Sequence, residues 1–490
     1  MIEAFQPVPA DCLRDESRRT GSAAGIAFPR TEADIAAALA AARAARQTLT
    51  VQGARTGVSG GAVPEGGLIL NLSRMDKILA VAAPEMRVQP GTTLAAIRAA
   101  VPAGFYFAPD PTEPSASIGG MISCNSSGAL SYLHGPTRNH ILGLRVALPS
   151  GDLLDLRRGR DKARGRRFAL GPLAGEFPPL RRPAVKNAAG YFIDPDMDLV
   201  DLFIGAEGTL GVVTEATLRL LPAPGAVWGL MAYLPGTAAV VGYVNHLRGL
   251  PRSGPAQLAA LEFFDARCLE FLRGHADDLA SKNIPVPSIP PGTACVYAEW
   301  HAPAAAAAEA AVMAVAERLP DFGADPDAAV LADNPHDMET LKLFRHATPE
   351  LVNSAIDERR QRHPELTKLG TDMSVPDARL ADVFALYETD LAAAGLEHLI
   401  FGHIGANHLH VNILSRDMQD YAAGKALYQK WAAQIIAWGG SISAEHGIGK
   451  LKRDLFRQMA GDTALGQMRD LKKLFDPELL LNPGTLLETL

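Results

Sequence analysis

Glycine-rich segments that interrupt short apolar runs limit what the first half of this chain can fold into. The stretch at residues 53–61 reads GARTGVSGG and lies between apolar runs at residues 49–52 and 68–72, which are typical of β-strands. Glycine lets the backbone turn sharply and lets a ligand approach consecutive N–H groups, which suits a diphosphate. The stretch matches neither the GxxxxGK[ST] nor the GxGxxG phosphate-binding motif, so a plain tight turn is the alternative.

Further segments of glycine and hydroxyl residues in the same half favour a ligand over a plain turn. They occur at residues 109–112, 117–120, 125–128, 135–138 and 205–214. Several such loops in one domain imply that backbone lines one large polar ligand. Short strands that alternate with helices and with these loops predict an α+β fold.

Composition narrows the classes of function. The 490 residues suggest two or three domains, and the net charge of -7 argues against a nucleic-acid binder. Four widely spaced cysteines without a CxxC pair exclude a disulfide scaffold and an iron–sulfur site held by this chain alone. The first residues show no basic segment followed by an apolar run, and no run of about 18 apolar residues occurs. We expect a cytoplasmic protein, with peripheral contact to the inner face of a membrane as an alternative.

Three histidines within eight residues mark the second half. His403 precedes a glycine turn, and from His408 onward polar and apolar residues alternate. His408, His410 and Asn412 therefore share one face of a predicted strand, and apolar side chains take the other face. Because imidazole is a frequent ligand of zinc, iron and manganese, this density predicts a metal or catalytic site.

A carboxylate and an imidazole stand side by side at Glu445 and His446, just ahead of Gly447 and Gly449. The glycines allow a tight turn that presents both side chains together. Two histidines and one carboxylate form a common open metal site that leaves positions for substrate oxygens. A helix-terminal cap without chemistry is the alternative for this pair.

One loop is unusually basic. Only Asp161 opposes its seven cations within the segment. They are Arg157, Arg158, Arg160, Lys162, Arg164, Arg166 and Arg167. A solvated hairpin tip and a docking site for an acidic partner or an anionic lipid surface both remain open.

The glycine-rich segments resemble, in their order over about residues 20–222, the flavin-binding domain of the vanillyl-alcohol oxidase and p-cresol methylhydroxylase family. The resemblance implies that the FAD pyrophosphate is held by Gly53, Arg55, Thr56, Gly57, Val58 and Ser59. It implies that the rest of FAD is lined by Pro111, Thr112, Gly119, Gly120, Asn125 and Gly128. It places Glu207, Gly208 and Val213 near the adenosine and ribose. Many covalent members carry a histidine in the pyrophosphate loop, and because residues 55–59 contain none, non-covalent FAD is expected.

The histidine and Glu445–His446 motifs resemble those of the FAD-linked 2-hydroxyacid dehydrogenases, a group that includes D-lactate dehydrogenase, the flavin subunit of glycolate oxidase and D-2-hydroxyglutarate dehydrogenase. That group carries GHxGDGNxHxN and, later, EHG. The resemblance implies His403, His410 and Glu445 as ligands of a divalent metal, with zinc expected and manganese or iron as alternatives. It implies Asn412 as a substrate contact and His446 as the base. At residues 406–408 this chain has Ala-Asn-His in place of Asp-Gly-Asn.

Two further segments resemble cation-bearing segments of the same group. An anionic substrate needs a cation, and arginine binds carboxylates in a bidentate manner. The resemblance implies Arg345 as the first candidate and Lys368 as the second. The group has glutamate after that arginine, where this chain has His346. Surface cations of a helix are the alternative for both.

Together the two resemblances predict a two-part FAD-binding domain of the p-cresol methylhydroxylase type at residues 1–222. They predict an α+β cap domain with the metal site at residues 223–455 and a C-terminal segment at residues 456–490 that docks back on the FAD domain. The implied reaction is oxidation of a D-2-hydroxy acid, either lactate-like, glycolate or 2-hydroxyglutarate, to the 2-oxo acid.

An external electron acceptor is required because the chain carries no haem or cluster motif. A quinone, a cytochrome, an electron-transfer flavoprotein and an iron–sulfur subunit are the candidates, and a homodimer is left open. The alternatives are a metal-independent flavin alcohol or sugar oxidase and a flavin subunit of a larger complex.

Overall fold

The first part of the chain builds two main sheets and two small two-stranded ones, with helices between them. The computed structural model describes residues 6–488. The strands here are β1 (Gly25–Ala27), β2 (Leu49–Gln52), β3 (Leu68–Asn71), β4 (Ile78–Ala82), β5 (Glu85–Val88), β6 (Phe105–Tyr106), β7 (Ile141–Ala147), β8 (Leu153–Arg157), β9 (Arg167–Leu170), β10 (Leu173–Glu176), β11 (Val212–Arg219) and β12 (Leu221–Pro222). The helices are α1 (Glu32–Ala44), α2 (Leu94–Ala100), α3 (Ile118–Cys124) and α4 (Ser131–His134).

The two main sheets of this part differ in direction. The order β1-β3-β2 is parallel, whereas the order β4-β5-β11-β7-β8 is antiparallel. Helix α1 begins with a capping box, in which the Thr31 side chain accepts from the Asp34 N–H and the Asp34 side chain accepts from the Thr31 N–H. The buried alanine and leucine face of α1 packs on the parallel sheet. Strand β2 of this sheet leads directly into the loop at residues 53–61.

The second part forms one larger sheet covered by longer helices. Its strands are β13 (Ala226–Leu234), β14 (Gln257–Phe264), β15 (Ala294–Ala302), β16 (Val330–Ala332), β17 (Leu369–Gly370), β18 (Met373–Ser374), β19 (His398–His403) and β20 (His408–Ile413). Its helices are α5 (Thr237–Arg248), α6 (Ala266–Gly274), α7 (Ala276–Ser281), α8 (Ala305–Ala316), α9 (Pro335–Arg360), α10 (Leu380–Ala394), α11 (Met418–Ala437) and α12 (Arg453–Phe475). The strand order is β16-β13-β15-β14-β19-β20-β17, with β18 also paired to β20. The predicted α+β fold is confirmed.

The end of the chain returns to the first part. Leu481 forms a parallel bridge with Leu49, so the tail lies beside β2. The Leu49 N–H donates to the Leu480 carbonyl at 2.7 Å, and the Asn482 side chain accepts from the Val51 N–H at 2.7 Å. The tail thus braces the strand that leads into the glycine-rich loop at residues 53–61.

The basic loop meets acids that the local sequence does not show. Arg157 pairs with Glu85, and Arg158 pairs with Asp201. Arg166 pairs with Glu176 across the β9–β10 hairpin. Much of the charge in this loop is therefore balanced within the fold, which favours the structural interpretation. In residues 6–488, none of the helices combines the length and apolar character that crossing a bilayer requires.

Candidate active site

A cleft with about 1520 Å³ of space separates the glycine-rich loops from the second part of the chain. Fourteen of the fifteen residues predicted to hold FAD line it: Gly53, Arg55, Thr56, Gly57, Val58, Ser59, Pro111, Thr112, Gly119, Gly120, Gly128, Glu207, Gly208 and Val213. We call these residues the loop wall. His403, Glu445 and His446 line the same cleft from the other part of the chain. The structure therefore brings together the two sets of motifs that the sequence singled out.

Asn125 is the predicted FAD residue that the structure places elsewhere. It ends α3 in the left-handed conformation, with φ of 51°, and its side chain accepts from the Arg138 N–H at 3.0 Å. It lines an adjoining cavity instead of the cleft. Its role in this structure is to end the helix and hold the next loop.

The loop wall is shaped by close backbone packing. A Cβ on Gly53 would lie 2.2 Å from the Ser117 hydroxyl oxygen, which caps α3 and also accepts from the Ala54 N–H at 3.2 Å. Gly53 therefore has to be glycine for the loop to lie against α3. By contrast, a Cβ on Gly57 would meet no atom within 4 Å, because Gly57 faces open space.

Glu207 joins the loop wall to the Glu445–His446 turn. Its buried carboxylate accepts from the Ile448 N–H at 2.8 Å and from the Gly449 N–H at 2.7 Å. Burial raises the pKa of Glu207 to about 7, although these two hydrogen bonds act in the opposite direction. Glu207 lines the cleft as predicted, but its carboxylate holds the backbone of the opposite wall.

The histidines are positioned by the β19–β20 hairpin. In its register His403 lies opposite His408, and Phe401 lies opposite His410. Leu409, Val411 and Ile413 are buried in the hydrophobic core, as their alternation predicts. The polar face of β20 is consequently turned toward Glu445.

Glu445 is the centre of a compact group that we call the imidazole–carboxylate cluster, comprising His403, His408, His410 and Glu445. The His403 Nε2 atom lies 3.4 Å from Glu445 Oε2, and the His410 Nε2 atom lies 3.3 Å from Glu445 Oε1. The four potential ligand atoms lie within 4.8 Å of one another. The three residues predicted as metal ligands are therefore in place to share one cation.

The far sides of two rings are held by partners that fix which nitrogen faces Glu445. The His410 Nδ1 atom lies 2.8 Å from the Thr371 carbonyl, which only accepts, so Nδ1 carries the proton and Nε2 keeps its lone pair. The His403 Nδ1 atom lies 2.8 Å from Glu262 Oε1. Burial alone would lower the pKa of His403, but Glu262 and Glu445 raise it to about 9. Such outer partners are typical of histidines that ligate metals.

Asp372 organises the turn that carries Glu445 and His446. This fully buried carboxylate accepts from the N–H groups of residues 444–446 at 3.0 to 3.2 Å and from the Lys452 ammonium at 2.6 Å. Burial would raise the pKa of Asp372, but the charges of His446 and Lys452 hold it well below its ordinary value. Sequence reasoning missed Asp372, whose one signal is its place in the Lys368–Ser374 segment.

Lys186 also enters the site without having been predicted. Its Nζ atom lies 2.6 Å from Glu445 Oε2 and 3.3 Å from His408 Nδ1. The backbone at Lys186 is held to the second part of the chain because Ser374 donates its hydroxyl to the Lys186 carbonyl at 2.6 Å. The only local signal was a single lysine ahead of the small residues Asn187 to Gly190.

His446 lies at the mouth of the cluster with about a third of its side chain exposed. Its Nδ1 atom is 3.4 Å from Asp372 Oδ2, and its ring stacks on His410 with centroids 5.6 Å apart. Burial lowers the pKa of His446 to about 4, despite the nearby carboxylates. The ring is therefore neutral at neutral pH and able to accept a proton, with a lower pKa than the ordinary value near 6.5 on which the prediction relied.

The other three residues predicted as catalytic do not line the cleft. Arg345 is buried, with Nη1 3.9 Å from Glu299 Oε2 and its guanidinium over the Tyr297 ring at 4.3 Å. Lys368 is exposed and lies 3.3 Å from Asn353 Oδ1. Arg345 is therefore engaged by protein groups, and its predicted role as the clamp of a substrate carboxylate stays a prediction, as does the role of Lys368.

Asn412 does not line the cleft either. It is 2% exposed, and its amide donates to the His410 carbonyl at 3.4 Å. In register it pairs with Gly370 at the edge of the sheet. Its contact with substrate stays a prediction.

A second cavity of about 1130 Å³, here called the side chamber, adjoins the cleft at His403. Four cations line it, Arg138, Arg182, Lys186 and Arg252, against one carboxylate, Glu262. Three of these cations pair with carboxylates of the fold, since Arg138 pairs with Asp201, Arg182 with Asp194 and Lys186 with Glu445. Arg252 instead lies over the Tyr132 ring, 5.9 Å from its centroid. The side chamber is thus a volume lined by charged groups next to the candidate active site.

Comparisons with known proteins agree with this architecture. A family model described as FAD binding domain matches residues 23–157, and one described as FAD linked oxidases, C-terminal domain, matches residues 244–486. D-2-hydroxyglutarate dehydrogenase of Xanthomonas citri pv. viticola is 33% identical over 97% of this chain and 92% of its own length. D-lactate dehydrogenase of Anaerostipes hadrus is 28% identical over 89% of this chain and 83% of its own. The glycolate oxidase subunit GlcD of Bacillus subtilis is 28% identical over 94% and 88%.

A solved structure of alkyldihydroxyacetonephosphate synthase has the same fold. It superposes with a TM-score of 0.65 at 16% identity, over 95% of this chain and 77% of that one. The predicted FAD-binding domain and FAD-linked oxidase C-terminal domain are thereby confirmed. The domain boundaries at residues 222 and 455 stay predictions.

Proposed function

This chain belongs to the FAD-linked 2-hydroxyacid dehydrogenase family, and from that membership we propose that it oxidises a D-2-hydroxy acid to the 2-oxo acid. One observation carries the proposal: His403, Glu445 and His446 line the same cleft as the glycine-rich loops. A hydroxy acid bound between the two walls would thus contact both the flavin side and the imidazole–carboxylate cluster.

The loop wall fits a flavin dinucleotide. Its floor is backbone at positions such as Gly53 and Gly119, where a Cβ would collide with Ser117 or Pro90. Residues 53–61 contain no histidine, so we propose that FAD is held without a covalent bond. The residues that would hold FAD are the fourteen of the loop wall.

The imidazole–carboxylate cluster fits a divalent metal, and we propose zinc, with manganese or iron as alternatives. Glu445 is balanced by the Lys186 ammonium and by His403, whose pKa is raised to about 9. A divalent cation would supply comparable positive charge, since metal binding releases protons from its ligands. His403, His410 and Glu445 would hold it.

When bound, FAD supplies the acceptor at N5 for the hydride from substrate C2, and the metal supplies a Lewis acid for the substrate oxygens. The chain's own residues do the rest. His446 is neutral and is placed to accept the proton of the substrate hydroxyl. Asp372 fixes His446 and Glu445 through their backbone N–H groups.

The side chamber supports a choice among the acids. Arg252 is the lining cation for which the described residues supply no carboxylate partner, so the chamber could receive a substrate whose C2 substituent ends in a second carboxylate. The relative from Xanthomonas citri is named for such a dicarboxylate. We propose that 2-hydroxyglutarate or a similar diacid is preferred over lactate and glycolate.

The reduced flavin has to pass its electrons to an external acceptor. We propose a quinone, a cytochrome, an electron-transfer flavoprotein or an iron–sulfur subunit, and a cytoplasmic location with peripheral membrane contact as an alternative. These parts of the proposal follow from family membership and from the small number of cysteines in the chain.

The test is anaerobic reduction of the purified, flavin-loaded protein by a panel of hydroxy acids. D-2-hydroxyglutarate should bleach the visible flavin absorbance fastest, D-lactate and glycolate more slowly, and the L-enantiomers should not. His446→Gln should slow bleaching by about 100-fold or more, since general-base catalysis contributes about that much. A protein that purifies without flavin, or that no D-2-hydroxy acid reduces, would contradict the proposal.

A metal-independent flavin oxidase of the same fold is the second candidate, and Lys186 is the observation that favours it. An ammonium at 2.6 Å from Glu445 already supplies a cation at the site. Exhaustive chelation separates the two, because the metal-independent oxidase keeps its full rate and the proposed dehydrogenase loses it until zinc is restored.

A further inference from the structure

His408 stands where the family has asparagine, and the structure gives it an unusual position. Its side chain is fully buried, between His403 with ring centroids 5.5 Å apart and His410 with centroids 4.3 Å apart. It follows the Ile404–Ala406 turn, in which Asn407 adopts the left-handed conformation with φ of 50°. The hairpin therefore directs this third imidazole into the cluster.

The orientation of the His408 ring makes one nitrogen available to the cluster. Its Nδ1 atom lies 3.3 Å from the Lys186 ammonium and 3.9 Å from Glu445 Oε2. An ammonium can only donate, so the Nδ1 atom that faces it presents a lone pair. The Nε2 atom carries the proton and lies 3.0 Å from Asp372 Oδ1.

The surroundings of His408 resemble those of the predicted ligands. His403 is hydrogen-bonded to Glu262 and His410 to the Thr371 carbonyl, and His408 Nε2 lies 3.0 Å from Asp372 Oδ1, although the ring is not aligned for a hydrogen bond. A carboxylate behind an imidazole orients the ring and makes it a better ligand. A histidine that only filled the core would have no need to turn a lone pair toward Glu445 and Lys186.

We infer that His408 is a fourth protein ligand, so that this chain holds its metal with three imidazoles and one carboxylate. The inference rests on the proposed function, since the metal belongs to that proposal. The Lys186 ammonium lies on the side of the cluster that His408 and Glu445 would offer to the metal. Lys186 would therefore compete with a metal for Glu445 Oε2 and His408 Nδ1.

Three imidazoles change which metals the site prefers. Nitrogen-rich sites suit zinc, cobalt and nickel, whereas oxygen-rich sites suit manganese and magnesium. The chain should therefore discriminate against manganese more strongly than a site with two imidazoles and one carboxylate. The His408→Asn variant, which restores the family's residue, gives the matched comparison.

The experiment is Co²⁺ titration of chelated, flavin-loaded protein, followed by the cobalt absorbance and by X-ray absorption spectroscopy of the Co²⁺ protein. We expect three imidazole ligands in the wild type and two in His408→Asn. The variant should bind Co²⁺ about 10- to 100-fold more weakly, since even an outer partner of a ligand is worth that much. Lys186→Met should bind Co²⁺ more tightly than the wild type because it removes the competing cation.

The outcomes separate the inference from the proposed function. If the wild type shows two imidazoles, or if His408→Asn binds with unchanged affinity and spectrum while His403→Ala does not bind, His408 is not a ligand and the metal proposal survives. If the wild type binds no Co²⁺, both the His408 inference and the metal proposal are wrong. The imidazole count of the wild type needs no variant, so the inference stays testable even if His408→Asn does not fold.

Discussion

The two walls of the cleft are built by different means. The loop wall consists largely of backbone and small side chains, and glycines such as Gly53 and Gly119 have neighbours that leave no room for a Cβ. The opposite wall consists of buried charged side chains gathered around Glu445 and Asp372. The loop wall depends on shape, so added atoms should weaken FAD binding. The opposite wall, here called the charged wall, depends on charge balance, so removal of one partner should lower stability or turnover.

The largest effect is expected at Asp372, which supports the charged wall. Asp372→Asn removes the charge that meets Lys452 and weakens three backbone hydrogen bonds of residues 444–446. Because breaking a buried charge pair leaves the other charge uncompensated, the free energy of unfolding should fall by about 3–5 kcal/mol. Urea unfolding followed by circular dichroism measures it.

The matched control for that change is Asp382→Asn on the surface of α10. Asp382 also pairs with a cation, Arg379, but in solvent, so its loss should change the unfolding free energy by less than about 0.5 kcal/mol. Equal losses in the two variants would show that the charged wall is no more sensitive than the surface.

The next effect concerns turnover. Glu445→Gln keeps the shape of the side chain but removes the charge that Lys186 and His403 both face. Flavin reduction should slow by about 100- to 1,000-fold, which is typical when one preorganised electrostatic group is lost from an active site. Anaerobic stopped-flow reduction by D-2-hydroxyglutarate measures the rate.

Glu397→Gln is the control for Glu445→Gln, since Glu397 forms an exposed pair with Arg359 in the same part of the chain. Its rate of flavin reduction should match the wild type. If Glu445→Gln reduces its flavin at the wild-type rate, the imidazole–carboxylate cluster has no part in the reaction.

The loop wall should respond to added atoms. Gly53→Ala places a methyl group against the Ser117 hydroxyl, whereas Gly466→Ala, in α12 and outside the cleft lining, meets nothing within 4 Å. Overpacking of the first kind costs about 1–3 kcal/mol, enough to weaken FAD binding by about 5- to 150-fold. Flavin released on dilution, measured by its fluorescence, should rise for Gly53→Ala and stay unchanged for Gly466→Ala. Equal release from both would mean that shape does not control this wall.

The contrast also explains what the sequence could predict. The glycine-rich segments and the alternation at residues 408–413 are local patterns, so spacing and periodicity were enough to find them. The fifteen FAD residues came from the family resemblance that these segments carry; fourteen of them line the cleft, and Asn125 departs because it ends α3.

The charged wall depends on contacts that no local pattern contains. Lys186 lies 259 residues from Glu445 along the chain, and Glu262 lies 141 residues from His403. The surroundings of Arg345 were missed for the same reason, because its contacts Glu299 and Tyr297 come from β15, which is distant from it along the chain. A cation's partner is decided by tertiary packing, which spacing along the chain does not reveal.

The smallest effect on stability is expected for a partly exposed ion pair, Arg145 and Glu32. Arg145 donates twice to Glu32 at 2.8 Å, and these hydrogen bonds are the main reason why the pKa of Glu32 is lowered from its ordinary 4.5. A lowered folded pKa means that the pair stabilises the protein above pH 4.5 and that this stabilisation is lost as the pH falls through the folded value. With 34% and 29% of the two side chains exposed, solvent screening keeps the contribution below about 1 kcal/mol. Glu32→Gln should therefore differ slightly from the wild type in urea midpoint at about pH 7 and converge with it at about pH 3. If the difference in urea midpoint persists at low pH, the effect comes from packing of α1 and not from the charge of Glu32. This surface pair would then depend on shape, as the loop wall does.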